Sequence, residues 1–320
     1  MKDFAIIGTG LSAATFAYFL KKNLDFYEKS RGAGGRCSTR KVDMVGLFDH
    51  GLQYIKTENK EFKKMLGQYS IWNGDFKIFY NGQLKEDKYK ERIINESGNN
   101  CLVKNLFKNK NVFTNKELIR IDKKINYLQL TFKDQTKEDY KTVIVTTPFE
   151  QAVELTKGFT KDYFSKFNFS MQPNLTLMVA FKKGLNLNTS AITFNEDDVL
   201  GFAANENTKK KLLINADLEL WTFQSSIKYA AKNINEYKNN KQNLINEMLK
   251  SFSDKLKINI NEENIEYSDM HGWRYAYNQE SHNSSCYWDK DLRLGICGDW
   301  FSGPNAECAF NNAKKLVDLI

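Results

Sequence analysis

Two glycine-rich segments near the start of the chain constrain its fold more than any other feature. The first spans Gly8–Ala13, reads GTGLSA and follows the apolar run Phe4–Ile7. The second spans Glu28–Arg36 and begins 20 positions after the first glycine. In a βαβ nucleotide site, a strand leads into a glycine turn, the next helix points its positive end at a pyrophosphate, and a later acidic residue accepts a ribose 2′-OH. The pattern predicts a strand over 4–7, a helix from near Ser12 and a ribose contact at Glu28.

The second segment continues beyond the ribose-contacting position into another glycine turn, Gly34-Gly35-Arg36. A plain nicotinamide dehydrogenase does not need this continuation. It suits a bulkier dinucleotide whose far end runs deep into the protein, and we therefore predict FAD as the cofactor. The residues of the two segments expected to hold it are Gly8, Gly10, Leu11, Ser12, Ala13, Glu28, Lys29, Ser30, Gly34, Gly35 and Arg36.

The composition indicates a globular protein and argues against several other classes. Apolar residues make up 41% of the 320 residues, and no run reaches the roughly 18–20 unbroken apolar residues of a membrane span. Phe4–Leu20 could pass for the core of a signal peptide, but cleavage there would remove the predicted first strand and glycine turn. The five cysteines form no Cys-x-x-Cys pair and there are three histidines. We therefore expect no metal site, reduced thiols and a cytoplasmic location.

The net charge of +8 could indicate a nucleic-acid partner. The lysines, however, are spread along the chain among Asn, Glu and Asp, and Lys209–Lys211 is the only run of three. We interpret this run and the other lysines as solvated surface and expect no nucleic-acid partner. A basic surface could still help to collect an anionic dinucleotide substrate.

Further elements of a nucleotide-binding fold are predicted far from the glycine segments. The β-branched run Thr142–Thr147 is typical of a buried parallel strand. Leu292–Cys297 predicts a strand that leads into Gly298-Asp299. From there to the last residue, apolar side chains recur at three- and four-residue spacing, which predicts a terminal amphipathic helix with Pro304 in its first turn.

The middle of the chain has a different pattern. Short β-rich runs separated by polar loops favour an antiparallel sheet, over Asn174–Phe181, Ser190–Phe194, Val199–Ala203, Lys211–Ile214 and Glu219–Gln224. Apolar residues at helical spacing from Ile234 to Leu256 predict a helix after it. We therefore predict an α/β fold: a Rossmann-type FAD-binding domain (1–75, 100–155 and 270–320) with an inserted antiparallel-sheet plus helix substrate domain (76–99 and 156–269).

Several short segments are specific as a set because of their order and spacing: Glu28–Arg36, Phe48–Tyr54, Trp221–Ser226, Trp273–Ala276, Gly298-Asp299 and Glu307–Ala309. With them the sequence resembles the flavin-containing amine oxidase superfamily, and within it the renalase-like branch, over nearly the whole chain. The resemblance implies that Gln53 and Tyr54 flank the isoalloxazine ring and that Leu118 contacts adenine through its backbone. It also implies that the FAD is bound non-covalently.

The resemblance extends to the end of the chain. It implies that Asp299, next to Gly298, bonds the ribityl–phosphate segment and that Glu307 belongs to the cofactor site. It places Ala309 at the helix start beneath the flavin, where N–H donors favour the negative charge of the reduced ring. The sequence departs from the family at Cys308, usually Gly, and at Asn311-Asn312, usually Ser-Gly. The lysine that many amine oxidases hold near flavin N5 is also missing, and Thr176 is its nearest equivalent.

On the substrate side, the candidate residues are His50, Trp221, His271, Trp273 and Arg274. The tryptophans could form an aromatic wall for a planar ring, and the arginine could meet a phosphate or carboxylate. Each also has a structural interpretation: a hydrogen-bonded histidine, a core tryptophan or a salt bridge between layers.

The resemblance implies an FAD-dependent oxidase that takes hydride from misplaced (2- or 6-) isomers of dihydro-NAD(P) and passes the electrons to O₂ as H₂O₂. An amine oxidase or desaturase of the same superfamily, acting on an amine or a hydrophobic substrate, is an alternative. A flavin-binding module without turnover is a second alternative, and an ordinary NAD-dependent dehydrogenase ranks below both. The sequence leaves the oligomeric state open.

Overall fold

The structure is a computed structural model that describes residues 1–89, 91–165, 167–195, 197–209, 215–280 and 284–320. The strands are β1 (Lys2–Ile7), β2 (Leu24–Tyr27), β3 (Arg40–Val42), β4 (Gly46–Phe48), β5 (Ser70–Ile71), β6 (Phe76–Tyr80), β7 (Gln83–Glu86), β8 (Ile93–Ile94), β9 (Asn111–Phe113), β10 (Leu118–Lys123), β11 (Leu128–Phe132), β12 (Lys137–Val145), β13 (Gln172–Phe181), β14 (Ala191–Phe194), β15 (Leu200–Asn205), β16 (Glu219–Ser225), β17 (Ile265–Tyr277), β18 (Tyr287–Asp289) and β19 (Leu294–Ile296). The helices are α1 (Leu11–Phe19), α2 (Lys60–Leu66), α3 (Cys101–Lys104), α4 (Phe149–Phe164), α5 (Ile227–Asn233), α6 (Lys241–Leu256) and α7 (Ala306–Leu319).

The first sheet is the Rossmann-type sheet that the glycine segments predict. Its path is β10-β11-β12-β1-β2-β9, and β19 joins it through β12. β1 lies parallel to both β2 and β12, and β19 lies parallel to β12. Helices α1 and α7 cover one face and α4 covers the other, and Val143–Val145 at the centre is fully buried. β12, from the middle of the chain, therefore lies between β1, from its start, and β19, from its end.

The second sheet has the order β17-β13-β16-β15-β14-β6-β7. Its neighbours are antiparallel except for β14 and β6, which run parallel. One face packs against α5 and α6, where Leu177, Val179, Phe223 and Phe252 are all buried. This is the inserted antiparallel-sheet domain, and it confirms the predicted fold class.

The structure differs from the prediction in three details. The helix expected from Ile234 to Leu256 starts later, at Lys241, and a separate helix, α5, ends just before the predicted start, at Asn233. The domain boundary at 155/156 falls inside α4, which packs on the first sheet along its length. The boundary at 269/270 falls inside β17, which belongs to the second sheet.

The strand expected at Lys211–Ile214 lies outside the described residues. Within the described part of the chain, no helix is both long enough and apolar enough to cross a membrane.

Candidate active site

A large cavity lies between the two sheets. Its volume is about 1870 Å³, and its lining includes both glycine segments, the 50–56 segment after β4 and residues of β13, β14, β16 and β17. Pockets for a single drug-sized ligand are typically about 300–1,000 Å³. The cavity therefore has room for a dinucleotide and a second molecule beside it.

The start of α1 is built to receive a phosphate. The helix begins after Gly10, which lines the cavity, and it has no side-chain cap at its amino end. Gly8 has a φ of +103°, and a Cβ on Gly35 would lie 3.1 Å from the Cα of Gly10, so glycine suits both positions. A helix amino end without a cap presents N–H donors and a positive dipole to an anion. We call this site, formed by the amino end of α1 with Gly8, Gly10 and Gly35, the cradle. It fits the pyrophosphate of a dinucleotide.

Glu28 is buried at the cavity wall and already has hydrogen-bond donors. Its Oε2 accepts from the Thr9 N–H at 3.2 Å and hydroxyl at 2.7 Å, and its Oε1 accepts from the Ser30 N–H at 2.9 Å and hydroxyl at 2.7 Å. These four donors match the four lone-pair sites of a carboxylate. A ribose hydroxyl at Glu28 would therefore replace one of the two side-chain hydroxyls. The neighbouring Lys29 also lines the cavity.

Arg36 and Asp299, which are far apart in sequence, form a bidentate ion pair. The guanidinium donates to the two carboxylate oxygens at 2.8 and 2.5 Å, and Nη1 also donates to the Ala276 carbonyl at 3.0 Å. Both residues line the cavity, and Asp299 is buried. The pair joins the second glycine segment, β17 and the end of β19, so Arg36 orients Asp299 as well as facing the cavity.

The amino end of α7 also opens on the cavity, through Asn305 and Ala306. Asn305 caps the helix by accepting from the Cys308 N–H, so Pro304 precedes the cap and is not in the first turn as predicted. Ala309 lines the cavity, and its carbonyl accepts from the Ser12 hydroxyl at 3.2 Å. The two cavity-facing helices are therefore bonded to each other.

Asn312, at which the sequence departs from the resemblance, has a structural role. Its buried side chain donates to the Gly298 carbonyl at 2.8 Å. The amide thus fixes the turn before Asp299 to α7. Gly298 itself lines the cavity, and a Cβ there would lie 2.3 Å from the indole nitrogen of Trp300.

Gln53, Tyr54 and Leu118 line the cavity, as do Leu11 and Ser30. Gln53 is buried, its amide nitrogen donates to the Asp49 carbonyl, and its Oε1 accepts from the ammonium of Lys209 at 2.7 Å. Lys209 has no exposed surface, so its interpretation as solvated surface is wrong. Only the i,i+3 spacing from Glu206 could have suggested a pairing from sequence.

His50, His271 and Trp273 form an aromatic cluster at the cavity wall. The His50 ring stacks on Trp273 at 5.4 Å, and His271 meets both edge-on at 5.1 and 4.5 Å. The Trp273 indole N–H donates to the His50 carbonyl at 2.8 Å, which holds the two residues together. Nδ1 of His50 is buried and has no hydrogen-bond partner among the residues that the structure describes.

Burial and positive neighbours keep these imidazoles neutral. Burial, followed by His271 and Arg40, lowers the pKa of His50 to about 3. Burial and then Arg40 lower the pKa of His271 to about 4. Arg40 itself lines the cavity and pairs with Asp269 at 2.5 Å. The rings of this wall are therefore uncharged, and the cation that lines the cavity near them is paired with a carboxylate.

Trp221 does not belong to this wall. It is fully buried on the helix-facing side of β16, where its ring lies 5.5 Å from that of Phe252. Side chains alternate along a strand, so the cavity-facing residue is Gln224, which donates to the Gly51 carbonyl at 2.7 Å. The expected aromatic wall is provided by Trp273 instead.

Other predicted positions also differ. Arg274 lies on the strand face opposite Trp273, is exposed and donates to Asn235 at 2.9 Å, so it borders the cavity without facing the aromatic cluster. Ala13 is in the core beneath α1, and Gly34 and Glu307 do not line the cavity. Thr176 is fully buried and bonds Asn174, which does line it.

Comparisons with known proteins agree with this architecture. The family described as NAD(P)-binding Rossmann-like domain matches residues 6–69. Similar solved structures include a proposed protoporphyrinogen oxidase from Exiguobacterium sp. 255-15, which is 10% identical, with 99% of this chain and 98% of that chain covered and a TM-score of 0.73. An oxidoreductase from Methanosarcina mazei is 11% identical, with 99% and 100% covered and a TM-score of 0.70. A CLA-producing fatty acid isomerase from P. acnes is 10% identical, with 100% and 98% covered and a TM-score of 0.69.

At these identities the likeness shows the fold. The chain has a Rossmann-type fold with an additional antiparallel sheet, which it shares over nearly its whole length with these structures. Because an isomerase shares the fold, the net reaction has to be argued from the site.

Proposed function

We propose that the protein is an FAD-dependent oxidase that removes hydride from isomeric dihydronicotinamide dinucleotides, as the renalase-like resemblance implies. One observation carries the proposal: a single cavity joins the dinucleotide cradle to a neutral aromatic wall, with space for a second molecule. In the balanced reaction, dihydro-NAD(P), O₂ and one proton give NAD(P)⁺ and H₂O₂.

The residues around the cradle fit FAD. The α1 amino end would hold the pyrophosphate, Glu28 the adenosine ribose, and Asp299, kept in place by Arg36, the ribityl–phosphate segment. When bound, FAD would supply the hydride-accepting N5 atom and a route for the electron pair to O₂. The second helix amino end, at Asn305–Ala306, supplies a positive dipole on the same side of the cavity.

The aromatic cluster favours a dihydronicotinamide over an amine. His50, His271 and Trp273 offer planar, uncharged surfaces against which a flat ring can stack. Burial is the main cause that disfavours a positive charge on both imidazoles, and the same loss of solvation would disfavour a protonated amine there. A dinucleotide substrate brings an anionic pyrophosphate, which the net positive charge of the chain would help to attract.

The chemistry asks for orientation more than for acid–base groups. Hydride transfer between two stacked rings depends on their distance and alignment. Among the described residues no cluster of histidine, cysteine, aspartate and glutamate is arranged to hold a metal ion. The fixed rings of the cluster would position the substrate and exclude water from its face.

Anaerobic mixing of the purified protein, loaded with FAD, with 2- or 6-dihydro-NAD tests the proposal. We expect loss of the oxidised flavin absorbance, stoichiometric NAD⁺, and H₂O₂ when air is admitted. Reduction by a panel of amines but not by dihydronicotinamides would establish the amine oxidase alternative instead. Bound FAD that no donor reduces would indicate the non-catalytic module, and failure to take up FAD would reject the proposal.

A further inference from the structure

A buried charged cluster lies directly behind the cavity wall at Gln53. Among the described residues it contains Asp49, Glu206 and Lys209, each fully buried. The Lys209 ammonium lies 3.1 Å from Glu206 Oε2 and 3.3 Å from Asp49 Oδ2. None of these three residues lines the cavity, and the proposed reaction has not yet used them.

The cluster joins the two domains. Asp49 follows β4, and its carboxylate also accepts from the Thr39 hydroxyl at 2.6 Å, in the segment after the second glycine turn. Glu206 and Lys209 follow β15 of the second sheet, and Glu206 Oε1 accepts from the Thr222 hydroxyl of β16 at 2.7 Å and from the Asp49 N–H at 3.1 Å. Taking such charges out of water is costly, so the cluster is weak evidence for added stability, and the groups that it holds in place are the place to look for its role.

The ammonium of Lys209 decides how Gln53 is oriented. An ammonium group only donates hydrogen bonds, so the amide atom that faces it at 2.7 Å must be the oxygen. The amide nitrogen is thereby directed to the Asp49 carbonyl. With both ends of the carboxamide held, the plane that Gln53 presents to the cavity is fixed.

We propose that Lys209 is a positioning residue for the cofactor site: through the Gln53 carboxamide it sets the wall against which the flavin ring lies, and it couples that wall to the second sheet. This inference rests on the proposed FAD binding. Lys209 would then act on the cofactor through Gln53, without contacting the cofactor itself.

The test compares Lys209→Met, Gln53→Met and the double variant with the wild-type protein. We measure the FAD dissociation constant by fluorescence titration of the apoprotein, and the visible spectrum of the bound flavin. Both single variants should bind FAD about tenfold more weakly, because the side chain at position 53 is no longer held in place before binding and has to be ordered when the flavin binds. They should change the flavin spectrum in the same way, and the double variant should add nothing, because both act through one contact.

Thr222→Val is the matched control. It removes a hydroxyl from Glu206 in the same buried cluster but leaves the Lys209–Gln53 bond intact. It should lower thermal stability without changing the flavin spectrum. A role in stability alone would instead give K209M the same pattern as T222V, and that result would overturn the proposal, as would additive effects in the double variant.

Two further measurements keep the test decisive. If K209M does not fold, the variant K209M/E206Q removes one charge of each sign, and a wild-type spectrum and affinity in it would overturn the proposal. If the wild-type protein takes up no FAD, the proposed function fails separately. The side-chain amide NMR signal of Gln53 in the apoprotein then tests the positioning itself: it should shift in K209M and stay unchanged in T222V, and an unchanged signal in K209M would refute it.

Discussion

The two walls of the cavity are built in different ways. The cradle wall uses backbone: the uncapped amino end of α1, the turn at Gly8 and the close approach of Gly35 to Gly10. The opposite wall uses side chains, such as Trp273 and Gln224, that project from strands of the second sheet. The backbone cradle depends on two short segments, Gly8–Ala13 and Glu28–Arg36, whereas the wall of side chains depends on which residues of each strand face the cavity. Short sequence patterns therefore predict the first wall, and long-range strand pairing sets the second.

The largest expected effect separates the two tryptophans. Trp221→Ala should cost about 3–5 kcal/mol of unfolding free energy, because it leaves a cavity in the packed core beside Phe252. Trp273→Ala should cost about 1–2 kcal/mol for its lost hydrogen bond and should mainly raise KM for the dihydronicotinamide. Denaturant unfolding and steady-state kinetics on both variants check this. A catalytic defect in W221A with unchanged stability would contradict the assignment.

The next effect compares two arginine–aspartate pairs, one on each wall. Arg36→Met should cost about 2–3 kcal/mol, because it leaves the buried Asp299 carboxylate without its bidentate partner. In Arg40→Met, Asp269 keeps Lys241 at 2.8 Å, so the loss should be clearly smaller. Denaturant titration measures both. Equal losses of unfolding free energy in the two variants would contradict a larger contribution of the Arg36–Asp299 pair to stability.

The pH dependence of stability sharpens the description of the aromatic wall. His50 and His271 have folded-state pKa values of about 3 and 4, below the unfolded value near 6.5. Between those values the unfolded chain binds protons that the folded chain does not, so stability falls as pH falls below about 6.5. Each histidine should contribute a slope of about 1.4 kcal/mol per pH unit.

His50→Phe tests this slope by urea unfolding between neutral and mildly acidic pH. It should flatten the dependence by about 1.4 kcal/mol per unit, since one of the two neutral imidazoles is gone. A slope equal to that of the wild type would show that His50 is not held neutral by its surroundings.

The smallest expected effect on stability concerns the turn before Asp299, which Asn312 ties to α7. Asn312→Ala should cost about 1 kcal/mol and weaken FAD binding, because the Gly298 carbonyl loses its side-chain donor and the turn before Asp299 is no longer tied to α7. Asn311→Ala is the control, since its exposed side chain bonds only Asn59 among the described contacts. Thermal unfolding and FAD titration of the pair check this, and equal behaviour of the two variants would contradict the role of Asn312.

Much of the cradle could be predicted from sequence because its signals are local. Short patterns of apolar residues and glycine predict β1, the start of α1, and the strands β12 and β19, which contain Val143 and Leu294. The ion pair of Arg36 with Asp299 was less accessible: each residue was predicted to face the cofactor, but their contact depends on how the chain ends meet.

The side-chain wall could be predicted only in part. The Trp221–Ser226 segment indicated a strand. A shift of its register by one residue would exchange the side chains that face the cavity with those that face the helices, and in the structure Trp221 lies in the helix-facing core. Likewise, the composition around Lys209 indicated solvated surface, and only the fold brings Asp49 and Glu206 around it.

By itself the sequence determined the Rossmann-type cradle and its glycine turns, because backbone conformation and helix ends are properties of neighbouring residues. The tertiary structure alone decided which strand faces form the second wall, which lysine is buried behind Gln53 and where the domains meet. These depend on contacts between residues up to hundreds of positions apart. Such contacts are fixed by strand register and by the burial of whole surfaces, which no local pattern specifies.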